Sequence, residues 1–369
     1  MTLTVTDEFG NQHVYHQTIS VQGFSGTTYY VSSSGSDSNN GTSPSTPFST
    51  VQKGLSVLSS GKRLLLNKGD TFSAGNVDLP SNSQLGAYGS GALPIINGNI
   101  SPDSTTTVMD IRLDCGGASA FIDVWNITDL LVLRVTMVNT DHGAGDWYGN
   151  RLFLVDSTIT NAALVSIFTD CNRLALLGNM FDRAINSHNL YLGVNRGVVS
   201  ANNVWKPSTS GSGRHCMRIA ASPVNPAFLT ITDNDFDGST TWCAIQFRSS
   251  SGTYEPNAHM DNLLFERNIV RSNSDTKLIL CMGDYLNTTI RSNNFSNASP
   301  PGGFTTFEIE PHSDPGYSGH DGPRGVWFHD NTITNNGATW FSNTSPDSQS
   351  VFVYENAVNG QFIAGNPPP

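Results

Sequence analysis

The stretch GRHCMRIAA, residues 213–221, places Arg214, His215 and Arg218 within five residues of a chain that is only 13% charged. A guanidinium pairs a carboxylate through two parallel hydrogen bonds. An imidazole exchanges a proton near neutral pH. The set therefore suits an acidic substrate that must be neutralised and then relieved of a proton. Similar apolar-patterned segments follow and precede it. HNLYLG (188–193) brings His188, Asn189 and Tyr191, CAIQFRS (243–249) brings Gln246 and Arg248, LILCMGD (278–284) brings Asp284, and FTTFEIEP (304–311) brings Glu308 and Glu310. The segment NVWKPSTSGSG (203–213) adds Trp205 and Lys206.

Strand side chains alternate between faces. With Leu190, Leu192, Met217, Ile219, Ile245, Phe247, Phe307 and Ile309 inward, two outward columns result. One reads Tyr191, Arg218, Gln246, Glu308, and the next Gly193, Ala220, Arg248, Glu310. Arg214 and Cys216 share the outward parity of Arg218, and His215 falls at the start of its strand on the inward parity. LILCMGD is too apolar to phase. The longest inserted segments, at 203–213 and 311–325, flank the same column, and long loops on a rigid scaffold tend to carry function.

A repeat must stack these segments. An Asn or its substitute recurs after an apolar strand at Ser157, Asn179, Asn202, Asn234, Asn268, Asn293, Asn331 and Asn356. The shortest steps, 22 to 25 residues, set a unit of several short strands, and the longer steps are that unit plus a loop. Such a unit fits one coil of a parallel solenoid, with coils stacked about 4.8 Å apart. Stacked Asn side chains can bond along a ladder, and the turns they occupy suit the left-handed geometry that Asn tolerates. With 35 Gly, 18 Pro and 37% hydrophobic residues, the composition agrees with a turn-rich β protein.

The pattern resembles the right-handed parallel β-helix proteins of the pectate-lyase-like superfamily over roughly residues 28–360. YYVSSSGSDSNNGTSPSTPFSTVQKGL (29–55) is similar to the opening segment of secreted β-helix polysaccharide-acting enzymes. LLLNKGDTFSAG (64–75) and LGAYGSGALPIING (85–98) are similar to their first coils. The expected fold is all-β, a single-stranded right-handed parallel β-helix over 23–360. A short N-terminal capping helix is expected, with Thr46 as its cap, Pro47 at its first position, and Val51, Leu55 and Leu58 on one face. LTVTDEFGNQHVYHQTISV (3–21) resembles the last two strands of a PKD domain, so residues 1–22 read as its remnant or as an extra hairpin. Residues 361–369 read as a linker tail.

The resemblance implies a secreted enzyme acting on an acidic polysaccharide, and the leading reading is a lyase cleaving a uronic-acid-containing polymer by β-elimination. Arg218 or Arg214 would neutralise the uronate, and Tyr191, Lys206 or His215 would serve as base and acid. His188, Asn189, Gln246, Arg248, Trp205 and Glu308 would bind the polymer. Many relatives use Ca²⁺, for which Asp284, Glu308 and Glu310 offer hard oxygen ligands. The alternatives are a glycoside hydrolase using paired carboxylates and a non-catalytic carbohydrate-binding solenoid. C5-epimerisation shares the proton-abstraction step with elimination. NTDHGAGD (139–146) resembles an acidic motif of β-helix pectin hydrolases, but the companion acidic pair and Gly-His-Gly are absent.

A net charge of −11 argues against a nucleic-acid partner. No run of 18 apolar residues suggests a membrane span, and a monomer is expected. The five cysteines, Cys115, Cys171, Cys216, Cys243 and Cys281, have no C-x-x-C spacing and read as buried thiols. A Cys216–Cys243 disulfide is the one alternative.

Overall fold

A computed structural model describes residues 2–6, 12–16, 24–205, 215–220, 225–238, 243–249, 259–272, 277–298, 305–311, 322–337, 339–345 and 348–368, the first two as backbone only. Lys206 and Arg214 lie outside the described residues. The fold is a parallel β-helix, in which 30 strands among the described residues form one continuous sheet wound into coils. Strand Ile167–Leu177 pairs in parallel with Asp146–Val155 on one side and Leu190–Ser200 on the other. Met180–Ala184 pairs with Thr158–Ala162 and Asn203–Trp205. Lower down, Leu190–Ser200 is matched by two shorter strands, Met217–Ala220 and Ala227–Thr232. The long upper strands thus continue downward as two separate columns. Inward residues fill the tube: Leu190, Met217, Ile245 and Phe307 are all fully buried. The Phe307 and Phe328 rings stack at 4.5 Å, a contact between the two columns.

The Asn ladder exists and is continuous. The Asn202 side-chain Oδ1 accepts from both the backbone N–H and the Nδ2 of Asn179, each at 2.9 Å. Asn234, Asn268, Asn293, Asn331 and Asn356 repeat the arrangement. The other Nδ2 hydrogen crosses to a carbonyl of an earlier coil, as from Asn234 to Val199 at 2.9 Å. Every rung is buried, so the ladder satisfies polar groups that water cannot reach. One expectation is corrected. The left-handed residue is not the rung but the residue before it: Asp156, Gly178, Ala201, Asp233, Arg267, Ser292, Asp330 and Glu355 all have positive φ. Asn occupies the rung because its amide both donates and accepts, and not for its backbone.

The cap is displaced as well. The helix runs Val51–Val57 with Thr50, not Thr46, as its N-cap, accepting from Lys53 N. Residues before it are held extended, because Phe48 bridges Val31 and Asp37 accepts from Ser49 N, Thr50 N and Thr50 Oγ1. Gly54 faces the solenoid end so closely that a Cβ there would meet Leu64 Cδ1 at 2.6 Å. Thr2–Thr6 and Gln12–His16 form a separate antiparallel hairpin. Residues 361–366, expected as linker, instead form strand Gln361–Asn366, which folds back antiparallel on Val351–Val358. All five cysteines are free and buried, so the Cys216–Cys243 bridge is absent. The two thiols donate instead to the Asp237 and Ile245 carbonyls.

Candidate functional site

The register places the first outward column as alternation required. Tyr191 pairs with Arg218, Arg218 with Gln246, Gln246 with Leu280, and Leu280 with Glu308. The second column runs Ala220, Arg248, Met282, Glu310. LILCMGD therefore turns Leu280 and Met282 outward, where they are buried in a small cluster with Cys243. Arg218 and Gln246 are likewise buried. The middle of the strip is closed, while its upper end, from Tyr191 upward, is accessible.

Four predicted residues converge at that boundary. The Arg218 guanidinium lies over the Tyr191 ring, 5.1 Å from its centroid, a cation–π arrangement. The His188 ring meets Tyr191 edge-on at 5.4 Å and stacks on His215 at 4.8 Å, only 13° from parallel. His215 Nδ1 lies 2.9 Å from the Cys243 carbonyl. A carbonyl only accepts, so Nδ1 carries the hydrogen and the neutral ring keeps its lone pair on Nε2. His215 lies two residues before strand Met217–Ala220 and is nearly fully buried.

The other predicted residues divide. Asn189 is fully buried, with its amide tied to the Phe181 and Trp205 carbonyls and to Ala184 N, so it braces the backbone beneath the site. Gln246 donates to Met282 Sδ at 3.5 Å within the closed part. Trp205 lies on a different column, in strand Asn203–Trp205 between Asp182 and Asp237. Arg248 sits two residues along from Gln246, beside Ala220. The proposed Ca²⁺ ligands do not fit a metal. Lys277 Nζ binds Glu308 at 3.1 Å and also Glu310. Arg324 grips Asp284 through both carboxylate oxygens, at 2.9 and 2.5 Å. These carboxylates are already paired with cations, and no three metal-ligating side chains converge among the described residues. Burial, with Glu310 alongside, pushes the Glu308 carboxyl above its ordinary range despite the pull of Lys277. One ammonium thus serves two carboxylates.

The sequence reading missed the upper end of the strip. There Trp125 stacks on Tyr148 at 4.0 Å and 6°, Tyr148 approaches Phe168 at 5.9 Å, and Phe168 stacks on Tyr191 at 4.7 Å. Trp125, Tyr148, Asp170, Asn150 and Asn172 line a cleft of about 640 Å³. Asp170 is buried in register with Gly193. A Cβ at Gly193 would lie 3.3 Å from Asp170 Oδ1, so the missing side chain leaves room beside that carboxylate. Asp146, in register with Phe168, holds His142 Nδ1 at 2.9 Å. Burial raises the Tyr148 hydroxyl pKa, and the Asp146, Asp170 and Tyr191 charges add to it. The signal was the same alternation in IFTDC (167–171), one coil above HNLYLG.

No protein-family description matches the chain, and no curated protein matches it. Solved structures do. A rhamnogalacturonan lyase superposes with a TM-score of 0.50 at 12% identity, covering 90% of this chain and 88% of that one. The A-module of the Azotobacter vinelandii mannuronan C-5 epimerase AlgE6 gives 0.41 at 13% identity, covering 83% and 91%. The GH136 lacto-N-biosidase of Eubacterium ramulus gives 0.35 at 14% identity, covering 88% and 68%. At 12% identity the likeness to the rhamnogalacturonan lyase supports the parallel β-helix architecture alone.

Proposed function

We propose that the protein is a secreted, monomeric polysaccharide lyase that cleaves a uronic-acid-containing polymer by β-elimination. The observation that carries this reading is the Arg218 guanidinium over the Tyr191 ring with the His188–His215 pair alongside. Elimination needs the uronate charge neutralised, the C5 proton removed and the leaving glycosidic oxygen protonated. Arg218 supplies fixed positive charge where the enolate-like state develops. His215 Nε2 is the lone pair that takes the C5 proton. Tyr191, the accessible member, holds the proton for the leaving oxygen. Lys206 and Arg214 remain candidates for the same roles. Asp284, Glu308 and Glu310 are bound to cations, so they are given no part in these steps. Among the described residues no helix is long and apolar enough to cross a membrane.

The test is a panel of pectate, rhamnogalacturonan, alginate, glycosaminoglycan and bacterial exopolysaccharides, read by ultraviolet absorbance of unsaturated uronate. Product from at least one polymer, lost in Arg218→Gln, supports elimination, and no product from any polymer refutes it. The Asp146 and Asp170 carboxylates beside the cleft favour glycoside hydrolysis as the second reading. A hydrolase would release saturated ends, and Asp170→Asn would abolish them.

A further inference from the structure

Three successive coils carry the same dipeptide at the same bend. GNRLFLV, CNRLALL and VNRGVVS place Asn150–Arg151, Asn172–Arg173 and Asn195–Arg196 at steps of 22 and 23 residues. The register stacks them. Asn150 pairs with Asn172 and Leu152 with Leu174, so Arg151 lies over Arg173. Asn172 pairs with Asn195 and Leu174 with Gly197, so Arg173 lies over Arg196. The three arginines therefore form a column spanning roughly 10 Å at the sheet spacing. All three have positive φ, at 57°, 75° and 69°. That backbone costs a non-glycine residue about 1–2 kcal/mol, and Gly or Asn would occupy it more cheaply. Arg173 and Arg196 are exposed.

The partners of the column are few. Asp129, one coil above, binds Arg151 through both oxygens, at 2.5 and 2.6 Å. Arg196 lies over the Phe228 ring at 5.8 Å. Arg173 forms no ion pair among the described residues. A molecule of net charge −11 thus keeps a cationic strip at one bend. Asn150 and Asn172, the residues just before two of these arginines, line the cleft beneath Trp125 and Tyr148. The strip runs along the solenoid axis, parallel to the column that holds Tyr191 and Arg218.

We propose that Arg173 and Arg196, below the Asp129-paired Arg151, form a docking ladder for the carboxylates of an extended acidic polysaccharide lying along the solenoid axis beside the cleft. The two guanidiniums are spaced at the sheet repeat, so one polymer strand meets both at once. Binding is then multivalent, although each exposed pair contributes little alone. The inference rests on the lyase reading only for the charge of the polymer.

The double variant Arg173→Asn/Arg196→Asn tests it, because Asn tolerates the left-handed backbone and leaves the coil able to fold. The probes are polygalacturonate, alginate and neutral dextran, with dissociation constants measured by calorimetry or affinity electrophoresis at 50 and 200 mM salt. The expected result is an unchanged circular dichroism spectrum and melting temperature no lower than that of the parent. Affinity for at least one acidic polymer should fall roughly tenfold, from about threefold per arginine. Its salt dependence should flatten, and dextran should bind no better to the parent than to the variant. Equal affinity of parent and variant for both acidic polymers overturns the ladder, as does failure of the parent to bind either. Binding that falls in the variant while no polymer is cleaved sustains the ladder and refutes the lyase reading. Cleavage with unchanged binding does the reverse.

Discussion

Replacing Asn234 by Ala removes one interior rung of the ladder. Asn202 N–H and one Asn202 Nδ2 hydrogen both end on Asn234 Oδ1, at 3.0 and 2.9 Å. Asn234 Nδ2 in turn donates to the Val199 carbonyl. Truncation strands two buried donors and takes a donor from the Val199 and Thr232 carbonyls and from Asn268 Oδ1. Each buried group left without a partner costs about 1–3 kcal/mol. Two stranded donors give about 2–6 kcal/mol, and water entering the vacated space brings the expected loss to about 3 kcal/mol. Ser157→Ala, at the head of the ladder, is the control. Ser157 Oγ accepts only from Val135 N, at 3.1 Å, and donates to the Val155 carbonyl. Its loss strands one donor and should cost about 1–2 kcal/mol. Equilibrium urea unfolding of parent and both variants at pH 7, followed by far-ultraviolet circular dichroism, measures the difference. If Asn234→Ala costs less than Ser157→Ala, or under about 1 kcal/mol, the ladder does not hold the coils together and the reasoning fails.

Arg218→Gln should lower kcat/KM roughly 100- to 1,000-fold, the cost of removing one preorganised charge donor, and Arg218→Lys should recover only part of it; steady-state ultraviolet assays decide both. Ala201, exposed with φ of 57°, should gain about 0.5–1 kcal/mol on conversion to Gly, as relief of the left-handed strain exceeds the entropy glycine loses. Gly178→Ala should do the opposite, since its Cβ would meet Asp156 Oδ1 at 2.5 Å; thermal melts compare them. Lys277→Met should cost about 2 kcal/mol at pH 7, less than a fully buried pair because Lys277 is 20% exposed. The sign with pH follows from Glu308, whose folded pKa is already raised. Without Lys277 the Glu308 carboxyl favours its protonated form still more, so the variant approaches the parent at low pH. It loses ground as pH rises past the ordinary carboxylate range near 4.3, and a deficit constant from pH 4 to 8 would contradict this.

The solenoid was legible because its signal is a side chain that must repeat. An Asn ladder fails at any rung that cannot both donate and accept, so the sequence keeps Asn at Asn179, Asn202 and onward while the loops between them vary. The site columns followed from alternation wherever inward residues were apolar and outward ones polar. Alternation carries no phase in LILCMGD, where Leu280 and Met282 point outward yet are buried, so hydrophobicity no longer reports the face. Above His188 the face was concealed differently. In Asp146–Val155 and Ile167–Leu177 the site strand and the next column fuse into strands of 10 and 11 residues, with a single glycine, Gly149, at the bend of the first and no glycine or proline in the second. The Asp146, Asp170 and Tyr148 group therefore lay hidden inside continuous strands, and the feature common to both bends was the Asn-Arg pair. Thr46 misled because Pro47 imitates a helix start, whereas Phe48 is bridged to Val31 and delays the first turn to Thr50.

The antiparallel return of Gln361–Asn366 onto Val351–Val358 reverses the chain direction at the last coil. A parallel stack offers the same unpaired backbone edge at its bottom after every coil, so nothing in the repeat itself says where growth stops. The reversed strand consumes part of that edge with hydrogen bonds of the wrong polarity for another coil. Deleting residues after Val358 should uncover a template on which a second molecule can begin, turning a finite rod into the seed of a fibre.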